Sequence, residues 1–177
     1  VAGDSRNKWT IENEKKLMQS EYLKNEKKAL SITAKINFNL LHGHHQTYFL
    51  GNELTGMKYT QKQVDLLMVN PHLIQDNPRK YIVLLYNHLA VIRKNASDEE
   101  FFFYLKELRK FPDILSPSIA NKYRNMVFVM SYALELNRYS LLAQFSKGLS
   151  VIQKIIPDLA KLDSRLNERE VVELFYT

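Results

Sequence analysis

Apolar residues along this chain recur mostly at three- and four-residue steps, the period of a helix face rather than of a strand. From Thr10 to His42 there is no Gly or Pro, and Leu, Met, Lys, Glu and Ala, all good helix formers, dominate. Ile11, Met18, Tyr22 and Ala29 fall near one face and Glu12 and Lys16 pair at i,i+4 on another. The stretch reads as one long helix, or as two with a break near Ser31. A more apolar helix then carries Ile32, Ile36, Asn39, Leu40, Gly43, Thr47 and Leu50 down one side and closes in a turn at Gly51-Asn52. Leu54, Met57, Gln61, Val64 and Met68 mark a helix over 53–70. Asn70-Pro71 stops it, because the residue before proline is driven out of the helical region.

Asn77-Pro78 predicts an N-cap with proline at the first helical position. The run from Tyr81 to Ile92 is too long for a strand and reads as a helix buried on most sides. Ser97 with Glu100 is a capping box, opening a helix whose apolar face is Phe101, Tyr104, Leu105 and Leu108, up to Phe111-Pro112. Ser116-Pro117 opens the next, lined by Tyr123, Val127, Met130 and Leu134 as far as the polar stretch Glu135 to Arg138. Leu141, Leu142, Phe145, Leu149 and Ile152 line another up to Pro157, and a last helix from about Leu162 carries Val171, Val172, Leu174 and Phe175.

Polar turns at Gly51, Asn95 and Asn137 and prolines at Pro71, Pro112 and Pro157 form two series that keep step, each with a period of about 43 residues. Every unit is helix, tight turn, helix, proline: 31–71, 78–112 and 116–157, with the start of a further helix at 162–177. Fixed-period helix pairs are the signature of an α-solenoid, in which each pair buries its apolar face by stacking on neighbours. The alternative is an ordinary helical bundle with evenly spaced turns.

Within these units, Tyr48-Phe49-Leu50-Gly51-Asn52 resembles the Tyr-x-x-x-Gly-Asp turn of tetratricopeptide repeats. Asn137-Arg138-Tyr139 is similar to the Gly-Asp-Tyr of that turn, Asn70-Pro71 to the Asp-Pro that ends a unit, and Asn167 to Thr177 to the opening of another first helix. The period is longer than the tetratricopeptide value of about 34, and HEAT-type repeats of about 40–47 residues are the closest structural rival. The resemblance implies an all-α, TPR-like superhelix of antiparallel helix pairs, with the first helix of each pair lining a concave groove that takes a protein or peptide. By the family's spacing it places His42, His45 and Tyr48 in that groove from the first unit, Tyr86 and Arg93 from the second, and Arg124, Ser131 and Glu135 from the third.

Composition narrows the class. The chain has 177 residues, enough for one domain or a short run of repeats; 45% are apolar and 25% charged, so it folds. Five Gly and five Pro are too few for an all-β sandwich. The absence of Cys removes disulfides, thiolate zinc sites and cysteine nucleophiles. The longest apolar run, Tyr81 to Tyr86, is far short of a membrane span, and Val1 to Thr10 holds no secretory apolar region. A soluble, cytoplasmic protein is expected, and a chain beginning with Val reads as processed or a fragment. The net charge is +6 and the pI about 9.4, yet Lys15-Lys16, Lys27-Lys28, Arg79-Lys80, Arg93-Lys94 and Arg109-Lys110 sit in separate segments. That scatter argues against nucleic acid and for solvated helix faces and ends.

Candidate chemistry is sparse. His42, His44 and His45 are the one dense set of potential metal ligands, but no Asp or Glu lies in the same helix, so beside Gly43 they read as packing and hydrogen-bonding groups and no metal is assigned. Asn87 interrupts an apolar helix and is expected to bond a neighbouring turn. Phe101 to Tyr104 cover every side of a helix, which favours core packing over a base-stacking platform. Asp98-Glu99-Glu100 suits the positive end of a helix, and Asn95-Ala96-Ser97 is a glycosylation sequon without a secretion signal to give it meaning. No phosphate loop, His-Glu-x-x-His or serine elbow occurs. The sequence therefore predicts a non-enzymatic repeat scaffold without cofactor that binds protein or peptide. The rivals are a sensor module of a larger protein and a helical metal protein or enzyme built on His42, His44 and His45. The apolar residues of 162–177 predict self-association or a continuation of the stack.

Overall fold

The glycine-free stretch at the start of the chain divides because its polar residues cap helices instead of continuing them. In the computed structural model, which describes residues 8–159, α1 (Lys8–Met18) stops at Met18 and the backbone leaves the helix over 19–25. Asn25 accepts from the Lys27 N–H and starts a 3₁₀ turn, Glu26–Lys28. Ser31 then accepts from the Ala34 N–H at 3.1 Å and opens α2 (Ile32–His44), a cap that contributes about 1 kcal/mol. The break at Ser31 is present, but Tyr22 and Ala29 lie outside any helix, so they do not share a face with Met18.

The described residues divide between Pro71 and His72 into two compact units. In the first, α2 ends in one π-helical turn (His45–Phe49), and Gly51, at φ +66°, turns the chain into α3 (Glu53–Met68). The return is antiparallel, since His42 stacks on Tyr59 while Gly43 faces Gly56 and Thr60. The buried face of α3 is Gly56, Thr60, Gln63, Val64 and Leu67; Leu54 and Met68, expected on it, are exposed. Small residues occupy this face because the helices approach closely. A Cβ on Gly56 would stand 2.0 Å from Thr47 Oγ1, and one on Gly43 3.4 Å from the Cβ of Tyr59. A pattern of large apolar residues cannot register an interface made of glycine and threonine.

The second unit holds the end of a short helix, α4 (Pro71–Asp76), followed by α5 (Pro78–Ile92), whose N-cap Asn77 accepts from the Lys80 N–H at 3.1 Å. Ile82, Leu85, Leu89 and Ile92 of α5 are wholly buried, each contributing about 1.5–3 kcal/mol. The polar side chain on that buried face is His88, edge-on to Tyr104 at 4.6 Å; Asn87 is half-buried beside it. The turn at Asn95 falls where the spacing places it, and Ser97 caps α6 (Asp98–Lys110) by accepting from the Glu100 N–H at 3.1 Å. α6 runs back along α5, bringing Tyr81 to 4.6 Å from Phe111 at the start of a 3₁₀ turn, Phe111–Ile114. Phe101 and Tyr104 are buried and Phe103 is exposed, as one face of a helix requires.

The third expected turn is absent from Asn137. α7 (Pro117–Leu141) continues through it for 25 residues, because Glu135 and Arg138 are not solvent-seeking turn residues but buried groups with partners on α6. The turn comes instead at Ala143, which adopts φ +55° without being glycine, so its conformation left no mark in the sequence. α8 (Phe145–Leu159) follows, antiparallel to α7. It extends past Pro157, whose ring is compatible with helical φ and removes only one backbone donor near the helix end. α8 buries Gly148 and Ile155, leaving Phe145, Leu149, Ile152 and Ile156 exposed. Among the described residues there is no strand, and no helix is long and apolar enough to cross a membrane. The helix expected at 162–177, and self-association through it, lie outside the described residues.

Arg138 ties this unit together. Its side chain is 2% exposed and donates to Arg93 O at 2.7 Å, Ala96 O at 3.0 Å and Asp98 Oδ1 at 2.7 Å. Its guanidinium carbon lies 4.7 Å from the centre of the Phe101 ring. One side chain from α7 thus satisfies carbonyls of the α5–α6 turn and the first carboxylate of α6 together.

Two measurements test this packing. Gly56→Ala is expected to destabilise the chain by about 1–3 kcal/mol in urea unfolding, against the gain of about 1 kcal/mol that alanine brings to an open helix site. Thr47→Ala in the same chain should recover most of the loss; a Gly56→Ala chain more stable than the parent would refute the close approach. The hydrogen bond from Arg138 holds the Asp98 carboxyl below its ordinary 3.8. Its stabilising effect is therefore full above that value and lost as pH falls through the lowered one. Asp98→Asn should flatten the decline of unfolding midpoint between about pH 5 and pH 2, and an unchanged decline would show that the pair contributes nothing.

Candidate functional site

Arg109 is the penultimate residue of α6, where α7 passes antiparallel to it. Its Nε donates to Ser131 Oγ at 3.2 Å, and its Nη2 donates to Glu135 Oε2 at 2.5 Å. The guanidinium carbon sits 4.0 Å from the centre of the Tyr132 ring. Ser131 and Glu135 are four residues apart on α7 and so project on one face toward α6. Ser131, wholly buried, also donates to Phe128 O at 3.1 Å. Glu135 is buried too, and its charge adds to burial in pushing the Tyr139 phenol above its usual value of 10.0.

Beside this fixed guanidinium opens a cleft of about 410 Å³, lined by Arg109, Pro112, Arg124, Asn125, Val127, Phe128, Ser131, Tyr132 and Asp158. Pro112, Val127, Phe128 and Tyr132 supply its apolar lining. Arg124 stands at the cleft with its Nη1 3.3 Å from Asp113 Oδ1, and both partners of that pair are more than half exposed. Asp158 brings a carboxylate from the end of α8.

The structure brings together three of the eight residues placed by spacing: Arg124 and Ser131 line the cleft, and Glu135 holds the arginine at its centre. Arg93 is elsewhere in the same unit, at the α5–α6 turn, where its carbonyl accepts from Arg138 and its own guanidinium donates to Ala90 O. Tyr86 is half-buried on α5. The remaining three lie in the first unit. His42 Nε2 is 2.8 Å from Leu23 O, with its ring between Phe38 at 4.3 Å and Tyr59 at 5.1 Å. His45 Nδ1 is 2.6 Å from Glu14 Oε1, and Tyr48 is exposed, edge-on to His44. Among the described residues no group of three or more His, Cys, Asp or Glu side chains is placed to hold a metal ion. His42 and His45 do act as packing and hydrogen-bonding groups.

A scan against family models, a search of curated proteins and a search of solved structures each find no match for this chain. The site's reading rests on its own geometry.

Sequence reasoning passed over Arg109, taking Arg109-Lys110 as a solvated helix end, and it did not select Tyr132 or Asp158. One signal pointed to Arg109: Glu135 sits within the otherwise apolar run Ala133-Leu134-Glu135-Leu136, where a buried carboxylate demands a cation opposite.

The two ion pairs of the site should respond differently to truncation. Glu135→Ala leaves Arg109 without its charged partner and is expected to cost about 1.5–3 kcal/mol in urea unfolding. Arg124→Ala breaks an exposed pair and should change stability by less than about 1 kcal/mol. Equal effects of the two would contradict the assignment of Arg109–Glu135 as the interior pair.

Proposed function

We propose that this chain is a non-enzymatic helical binding module, and that the cleft between α6, α7 and the end of α8 takes a short segment of a protein or peptide. The observation that carries the reading is the cleft itself, whose lining combines an arginine fixed from three directions with the apolar residues Pro112, Val127 and Phe128. An immobilised polar anchor beside apolar surface lowers the ordering cost that a flexible segment would otherwise meet on binding. Tyrosine and arginine, the residue types that dominate binding hot spots, both line it. The likeness to tetratricopeptide repeats, in which helix pairs present a binding face, is carried by the sequence resemblance alone and belongs to this proposal.

The test is selection from a random heptapeptide display library, followed by titration of the enriched peptides. Asn125→Trp, a half-buried cleft residue made large, should weaken them by about tenfold or more, equivalent to about 1.4 kcal/mol. The melting temperature should stay close to the parent's. Peptides that bind the parent and Asn125→Trp equally would refute the cleft as the binding site.

A further inference from the structure

We propose that the group recognised at this cleft is a single carboxylate next to an apolar side chain, the chemistry of an acidic peptide. The inference rests on the reading of the cleft as a peptide site and deepens it. A guanidinium carries five N–H donors in a fixed planar fork. In Arg109, one on Nε goes to Ser131 and one on Nη2 goes to Glu135, which leaves three, and the side chain is 31% exposed where it lines the cleft. Among the described residues, Nη1 and the second Nη2 hydrogen have no acceptor and present an open donor edge. A planar two-oxygen acceptor matches that edge with two parallel bonds. Ser131, Glu135 and the Tyr132 ring already hold the plane of the fork, so a ligand need not order it.

The charges around the cleft set the valence of the ligand. Glu135 is engaged by Arg109 from within the protein. Arg124 is held by Asp113 in a pair 55% and 65% exposed, weak enough to exchange for a bound carboxylate. Asp158, which has an interaction of its own, adds a further carboxylate to the lining beside Glu135 and Asp113. Like-charge repulsion grows with the charge of the ligand, so a monoanionic carboxylate is disfavoured less than a phosphate dianion. Pro112, Val127, Phe128 and Tyr132 then receive the apolar side chain beside the carboxylate.

The experiment is calorimetric titration of the whole chain with four probes: N-acetylated alanyl-alanyl-phenylalanine with a free C-terminal carboxylate, its C-terminal amide, an amidated peptide of the same length with an internal aspartate beside phenylalanine, and inorganic phosphate. The carboxylate probes are expected to bind about tenfold to a hundredfold more tightly than the neutral amide, and phosphate more weakly than either. Whichever of the two carboxylate peptides binds better identifies a chain terminus or an acidic side chain as the source. The double variant Arg109→Gln with Glu135→Gln removes both charges of the interior pair and should abolish the difference between acid and amide. Arg124→Ala, at the exposed pair, should reduce it severalfold with folding intact. Acid and amide binding equally, both weakened by Asn125→Trp, would overturn the carboxylate while leaving the cleft as the site. Phosphate binding more tightly than the carboxylates would overturn the assigned ligand class. Failure of all four probes, or binding unaffected by Asn125→Trp, would overturn the cleft reading and this inference with it.

Discussion

The buried guanidinium of Arg138 is the contact on which the second unit depends. The α5–α6 connection, Arg93 to Ala96, contains neither glycine nor proline, and its carbonyls have to be satisfied from outside it. Arg138 supplies the donors from α7, two helices away in sequence, and accepts in return a place over the Phe101 ring with Asp98 as counter-charge. Desolvating a guanidinium costs several kcal/mol, so such a contact adds little net stability over a well-packed apolar side chain. Its three hydrogen bonds join α7 to the α5–α6 turn and to the start of α6 at one point.

The Arg109 site lies on the same two helices: Asp98 of α6 bonds Arg138 of α7, and farther along α6 the long side chain of Arg109 reaches Ser131 and Glu135 of α7. The first unit uses the opposite means. Its two longer helices meet through Gly43, Gly56, Thr47 and Thr60, where the absence of side-chain bulk sets the distance. His42 and His45 then fasten the preceding segments, through Leu23 O and Glu14, onto the end of α2 and the π-turn.

Helix content, and the starts of most helices, were legible because capping is local. Ser31, Asn77 and Ser97 each accept from a backbone N–H three residues on, as their sequence contexts indicate. What was not legible depends on groups far apart in the chain. Glu135 to Arg138 is polar and reads as a turn, yet its charged groups are buried by partners from 26 and 40 residues away. The real turn at Ala143 carries no glycine, and a left-handed alanine has no local signature. The candidate site was legible in part for the same reason. The family's spacing, counted back from a turn at Asn137 that α7 runs straight through, named Arg124, Ser131 and Glu135, whereas Arg109, on another helix, can be placed only once the helices are docked.

Arg138 and Arg109 differ in what their surroundings leave open. Arg138 is 2% exposed and holds three protein acceptors, and no ligand can approach it. Arg109 is held as firmly, by a hydroxyl, a carboxylate and a ring, yet keeps 31% of its side chain at a cleft and most of its donors uncommitted. An arginine with a purely internal duty gains nothing from that exposure, since each open donor is solvated by water as well in the unfolded chain. Besides pairing the buried Glu135, the fork in the proposed peptide reading meets a second acceptor on its outer edge. Rigidity then lowers the entropy lost on binding, and partial burial strengthens the new hydrogen bonds relative to those on an exposed arginine.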